Sequence, residues 1–205
     1  MGRPQATKHR DYERTRQEIL DVAFTEVLAH GYQGVSVDDI VAKTSLTKGA
    51  FYHHFPTKLD LGYALVDEVI KPMILERWIR PLAEYENPLE GILERLQKLI
   101  GEAPPEQLKL GCPLNNLVQE MAPVDPGFKT RLQAALVLWI DEMDLQLRRA
   151  KKNGYLAPRV NTGQVAHFVV MAHEGIYGIL KGLSDPEAFD ALYDSLRRYF
   201  ETIER

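Results

Sequence analysis

Cysteine is almost absent from the sequence: its 205 residues include one, Cys112. A lone cysteine makes no intramolecular disulfide, which fits a reducing cytosol. Long apolar runs are missing too. The most apolar stretch, 165–183, is broken by His167, His173, Glu174 and Lys181. Nothing approaches the ~20 continuous apolar residues of a membrane helix. The basic, polar start at 1–10 has no apolar run of signal-peptide type behind it. The expectation is a soluble, cytoplasmic protein with no membrane partner. Positive charge is not in excess: 25 Lys and Arg against 29 Asp and Glu give a net charge of −4. That excludes coating nucleic acid by bulk charge, so any DNA binding must come from a local basic surface.

Enzyme motifs are also missing. There is no glycine-rich phosphate loop after a strand, no nucleophile elbow and no His-Glu helix pair of zinc-hydrolase type. The adjacent acids Asp38-Asp39 and Asp141-Glu142 read as a cap region and a solvated face. The chain is expected not to be an enzyme, and no cofactor is implied. The histidines suggest no metal site. His53 and His54 point to opposite sides of one helix, and His167 and His173 fall on different faces of another.

What is present is helical periodicity. Apolar residues make up 45% of the chain, enough for a buried core. Their spacing is mostly that of amphipathic helices, and strand-like alternation is scarce. Ser36 with Asp39 and Thr57 with Asp60 have capping-box spacing. Asn87-Pro88, Asp125-Pro126 and Asp185-Pro186 each place a cap residue before a proline at the first helical position. Asn161 with Gln164 is a further start. His30-Gly31, Asn153-Gly154 and Lys181-Gly182 read as stops. The predicted fold is all-α, with nine or ten helices near 11–30, 37–44, 48–55, 58–80, 88–100, 106–110, 113–122, 126–153, 162–181 and 186–203. Pro72 is expected to bend the fourth.

Two of these helices are too short to be stable alone. They are joined by Ser45-Leu46-Thr47, which makes a helix-turn-helix over about 36–55. Val37, Ile40 and Val41 form the inward stripe of the first. Ala50, Phe51 and Phe55 face inward on the second. Thr47, Lys48, Gly49, Tyr52 and His53 are left outward. Thr47 can cap the second helix, and the free N–H groups behind it suit a phosphate. Lys48 can reach a phosphate or a guanine edge, and Gly49 lets the helix sit deep in a major groove. Ser36 and Lys58 offer backbone contacts on either side. Arg3, Lys8 and Arg10 form a basic arm over 1–10, suited to an adjacent minor groove. Residues 1–60 carry 8 basic and 8 acidic side chains, so the acidic excess lies in the rest of the chain.

The string Phe51-Tyr52-His53-His54-Phe55-Pro56-Thr57-Lys58-Leu59-Asp60-Leu61 closely resembles the signature of the tetracycline-repressor (TetR) family. Ile19-Leu20-Asp21-Val22-Ala23 and the segment from Gly31 to Val37 resemble the same family's first helix and turn. The likeness is close over about 10–65 and architectural beyond. It implies a three-helix DNA-binding head, at 1–57, and an α-helical effector-binding and dimerisation body, at 58–205. By position match it implies Ser36, Thr47, Lys48, Gly49, Tyr52, His53 and Lys58 as DNA contacts. It further implies a repressor of pseudo-palindromic operator DNA, released by a small-molecule effector that shifts the fourth helix. Ala50 departs from members with a polar residue there, so fewer side chains are left to read bases.

In the body, the helices at 126–153 and 162–181 are apolar on more than one face. A helix apolar nearly all round needs two partners, which points to a homodimer through a four-helix bundle; a larger monomer core is the alternative. Trp78, Tyr85, Cys112, Asn115, Trp139, Phe168, Met171 and Tyr177 are candidate effector contacts, being the large or amphipathic types that line cavities. Cys112 reads either as a buried small hydrophobe or as a redox or electrophile sensor whose thiol pKa is lowered at a helix start. Control by a protein partner, and activation in place of repression, are further alternatives.

Overall fold

A computed structural model of the chain describes residues 5–183 and 187–205. Arg3 and the expected helix start at Asp185-Pro186 lie outside the described residues. The eleven α-helices described are α1 (Gln5–His30), α2 (Val37–Ala42), α3 (Lys48–His54), α4 (Lys58–Ala64), α5 (Lys71–Ile74), α6 (Pro88–Leu96), α7 (Pro105–Leu108), α8 (Pro113–Met121), α9 (Pro126–Lys152), α10 (Thr162–Leu183) and α11 (Glu187–Ile203). Extended pairing among the described residues is one isolated bridge, Leu156 with Glu204. The all-α expectation is met.

The cap residues act as their chemistry dictates. Ser36 and Thr57 close capping boxes with Asp39 and Asp60, and Thr47 accepts from Ala50 N. Asn87, Asp125 and Asn161 accept from the backbone N–H two or three residues on. Gly31 and Gly154 take φ of +78° and +88°, the left-handed turn that lets the chain leave a helix. Several boundaries differ from expectation by one or two residues or more, and two of them are informative. α1 begins six residues earlier than predicted, because 5–10 holds good helix formers and no breaker. α10 runs through Gly182 to Leu183, since a glycine permits a stop without forcing one.

Pro72 does not end its helix. Chain from Lys58 to Glu84 is continuously helical, but π-helical turns at Leu65–Ile70 and Leu75–Ile79 flank α5, and a 3₁₀ turn at Arg80–Glu84 follows. Pro72 has no N–H to give to the carbonyl one turn back, so the ladder re-registers around it.

The described chain divides into two compact units: 1–69 with 116–132, and 70–115 with 133–205. The first unit is built on Ile19, Ala23, Ile40, Phe51, Phe55 and Leu61, all buried. Within it, Tyr32 and Tyr63 meet the Phe128 ring edge-on at 4.8 and 5.3 Å. Gly62 lies against that pair: a Cβ there would come within 2.5 Å of Phe128 Cζ and 2.6 Å of Tyr32 Cε2. Gly62→Val is therefore expected to destabilise the fold by about 1–3 kcal/mol through overpacking, read as a lower urea midpoint at unchanged slope. The second unit has Trp139, Met143 and Leu147 of α9 and Val165, Val169 and Ile176 of α10 on its inner faces. Phe189, Leu196 and Phe200 of α11 join them.

Candidate functional site

In the first unit α1 carries α2 and α3. Three ionic contacts fix the two short helices. Glu26, itself buried, pairs with Lys43 Nζ at 2.6 Å, tying α1 to the end of α2. Glu18 accepts from Ser45 N and Oγ in the turn. Arg16 grips Glu68 through two nitrogens, donates to His54 O at 3.2 Å and lies 4.3 Å over the Phe55 ring. The last carbonyl of α3 is thus held by a guanidinium, where a cation is favourable.

The outer face of α3 is what this scaffold presents. Thr47, Lys48, Gly49, Tyr52 and His53 are all exposed, as is Ser36 at the start of α2. Phe51, His54 and Phe55 turn inward. Lys48 Nζ meets Asp38 at 2.7 Å, a pair in which both side chains are more than half exposed and which is easily exchanged for a phosphate. Lys58 is half-buried, its Nζ 4.5 Å over the Tyr32 ring, and burial holds its pKa below the usual lysine value. A Cβ added at Gly49 would meet only Thr47 Oγ1, at 3.9 Å, so the helix face is open there.

A residue of the same unit that sequence reasoning passed over is Glu120, near the end of α8. Its carboxylate accepts from Tyr32 N at 2.9 Å and Gln33 N at 2.7 Å, closing the turn after α1. Glu120→Ala strips both donors of an ionised acceptor. It is expected to cost about 1.5–3 kcal/mol of stability, measured by urea unfolding.

In the second unit, five of the candidate effector residues come together around two that sequence reasoning missed, His173 and Glu174. The His173 ring is buried among Trp78, Trp139 and Tyr177, with centroids at 4.7, 4.7 and 4.9 Å. Its Nδ1 lies 3.0 Å from Glu174 Oε1. Cys112 Sγ donates to the same oxygen at 3.3 Å, and Asn115 Nδ2 donates to Glu174 O at 3.2 Å. Two buried polar atoms of this cluster, Glu174 Oε2 and Trp139 Nε1, have no hydrogen-bond partner among the described residues. Burial pushes the Tyr177 hydroxyl up to about 12.

The other three candidates lie elsewhere. Tyr85 lines a separate open groove of about 510 Å³ with Glu86, Arg149, Asn153 and Tyr155. Phe168 and Met171 are on the exposed side of α10, Phe168 against Tyr199 at 4.7 Å. The expectation of a lowered Cys112 pKa is also corrected. Burial first, then the Glu174 carboxylate, raises it well above the ordinary thiol value, outweighing the helix start beside it. The thiol is a poor nucleophile in this setting, which disfavours the electrophile-sensor alternative.

Two family profiles match the chain. The family profile described as "Bacterial regulatory proteins, tetR family" matches residues 19–65. That described as "Tetracyclin repressor-like, C-terminal domain" matches 89–196. The chain belongs to the TetR family. It is a DNA-binding transcriptional regulator with a helix-turn-helix head and a helical body. Among relatives of this regulator is an uncharacterized HTH-type transcriptional regulator in the lacX 3' region of Lactococcus lactis subsp. lactis, 26% identical over 92% of this chain and 94% of the relative. In fold it is similar to the TetR-family regulator of Cytophaga hutchinsonii, with a TM-score of 0.85, 20% identity, and coverage of 95% of this chain and 96% of that one. A putative transcriptional regulator of Saccharomonospora viridis, solved in complex with choline, is similar at a TM-score of 0.75 and 18% identity, with 94% and 99% coverage.

His173 and Glu174 had one signal in the sequence. Two ionisable residues stand side by side in the most apolar helix, where each must find a partner if it turns inward. Glu120 had none, because its partners are backbone N–H groups 87 and 88 positions away.

Proposed function

We propose that this regulator is a homodimeric repressor that binds a pseudo-palindromic operator and releases it when a small-molecule effector enters the body. The observation that carries the effector reading is the unpaired polarity around His173. An indole N–H and a carboxylate oxygen, both buried, go without partners in the aromatic cluster around His173, and leaving such groups unmet costs about 1–3 kcal/mol each. An effector that accepts from Trp139 and neutralises or donates to Glu174 removes that cost. An aromatic box beside a carboxylate suits an organic cation, and the choline held by the Saccharomonospora viridis protein is of that class.

Head contacts fall to Ser36, Thr47, Lys48, Gly49, Tyr52, His53 and Lys58, with Arg3 from the arm. Trp78, Cys112, Asn115, Trp139 and Tyr177 serve the effector, together with His173 and Glu174. Chain continuity supports a link. The helical run that opens with Lys58 also carries Trp78, and α8 begins beside Cys112 and carries Glu120 in its last turn. The test is to select operator duplexes from random DNA with the purified regulator, then titrate choline and other small cations against the complex by fluorescence anisotropy. At least a tenfold loss of operator affinity with one of them is expected, about 1.4 kcal/mol of coupling. Affinity unmoved by every ligand class would sink the effector reading.

A further inference from the structure

We propose that Cys112, His173 and Glu174 form a binding site for a thiophilic divalent cation of the zinc class. One ligand atom from each of the three side chains lies within 4.8 Å of the others. Cys112 and His173 are more than nine-tenths buried. A tetrahedral zinc centre with Zn–S of ~2.3 Å and Zn–N or Zn–O of ~2.0–2.1 Å has donor-to-donor edges of about 3.3–3.6 Å. The Sγ–Oε1 and Nδ1–Oε1 edges are 3.3 and 3.0 Å. Two of the three donor edges are thus close to tetrahedral values, and the third lies within 4.8 Å.

The donor set is chemically apt. Thiolate, imidazole and carboxylate together select zinc-like cations over magnesium or calcium, which take oxygen ligands. Without a cation, Glu174 Oε1 serves as acceptor for both neighbours while Oε2 is buried and unpaired. With one, the cation displaces the thiol proton to solvent, the imidazole proton moves from Nδ1 to Nε2 so that the ring stays neutral, and metal–sulfur and metal–nitrogen bonds form. The thiolate and carboxylate charges then balance the dication. Three protein ligands leave a fourth position for water or another donor. The rings of Trp78, Trp139 and Tyr177 around His173 supply a dry shell that favours charge neutralisation by the metal.

The placement has a structural consequence. His173 and Glu174 sit within α10, whereas Cys112 immediately precedes α8. A bound cation would pin the start of α8 to α10. The site shares Cys112, His173 and Glu174 with the proposed effector cluster, but its readout is metal binding rather than operator release, so the failure of either reading is told apart from that of the other.

The test uses the full chain, freed of metal and kept reduced with a non-chelating phosphine. Cobalt(II) is the spectroscopic probe. Expected are a thiolate-to-cobalt charge-transfer band and tetrahedral ligand-field bands that saturate at one equivalent per chain and are displaced by zinc. Cys112→Ser should abolish the charge-transfer band. Glu174→Gln and His173→Gln should each weaken zinc binding at least tenfold in competition with a chromophoric chelator, a lower bound set by what even outer-shell changes cost. Circular dichroism of each variant separates ligand loss from misfolding. Retention of the aquo-cobalt spectrum by the wild-type chain overturns the proposal, with no variant needed. So does one-equivalent zinc binding of equal affinity in Cys112→Ser and wild type. Operator binding by the metal-free chain is scored separately, so the regulator reading survives a negative result here.

Discussion

Lys48→Ala combined with Tyr52→Ala is expected to lower operator affinity about a thousand-fold without measurable change in thermal stability. Both side chains are on the exposed face of α3. Two contacts in each of two heads are lost, and about 1 kcal/mol for each is a low value for groove and phosphate contacts. The fold does not depend on them. Lys48 pairs with Asp38 across open solvent, a geometry worth little to stability. Tyr52 is itself exposed and meets the buried Phe51 ring by its edge, at 5.3 Å. Anisotropy titration over a salt series distinguishes the two losses. Losing Lys48 lowers the salt slope by about one per head, whereas Tyr52 acts mainly through the intercept. An operator affinity within tenfold of wild type would move the DNA surface off α3.

The head was legible because its rules are local. Ser36, Thr47 and Thr57 announce three helix starts by chemistry that acts over three residues, and all three caps form. The outward set on α3 follows from which residues 3.6-residue periodicity leaves over once Phe51 and Phe55 are turned inward. The bend expected at Pro72 was legible in position but not in form. Whether a missing N–H produces a kink or flanking π turns depends on the packing of both sides. The effector cluster was half legible. Residue type singled out Trp78, Trp139 and Tyr177, but type alone could not separate them from Phe168 and Met171, which face outward on the same α10 that carries His173. Nor could it join Cys112 to Glu174, 62 positions on, because that contact is fixed by how helices cross and not by any spacing in the chain. Reading Cys112 by its helix start gave the wrong direction for its pKa, since desolvation in a packed interior outweighs a helix-end field.

Met171→Glu with Ile179→Glu is expected to turn the regulator into a monomer and to abolish cooperative operator binding. The outward side chains of α10 fall at 168, 171, 179 and 183, one stripe of a helix whose opposite face, Val165, Val169, Ile176 and Leu180, is core. Met171, Ile179 and Leu183 are each more than half exposed, at 63%, 51% and 65%. Between them lie Gly175, Gly178 and Gly182, where an added Cβ would meet nothing within 4 Å, so another helix can approach closely along this face. Covering three half-exposed apolar side chains gives roughly 1 kcal/mol each, and a two-fold axis doubles the sum. Glutamate at two of the positions removes most of that gain and brings four carboxylates together at the axis, where desolvation adds to repulsion. The dimer dissociation constant should rise at least a thousand-fold, enough to leave monomer in sedimentation runs at about 10 μM protein. Both replaced residues are exposed, so the far-ultraviolet circular dichroism spectrum of the monomer should match that of wild type, while its urea midpoint falls only by what association adds. A monomer grips one half-site, and footprints on a palindromic duplex should shrink from two helical turns to one, with the affinity of a single head. A dimer that persists at wild-type affinity with both glutamates in place would put the two-fold axis on another face of the body.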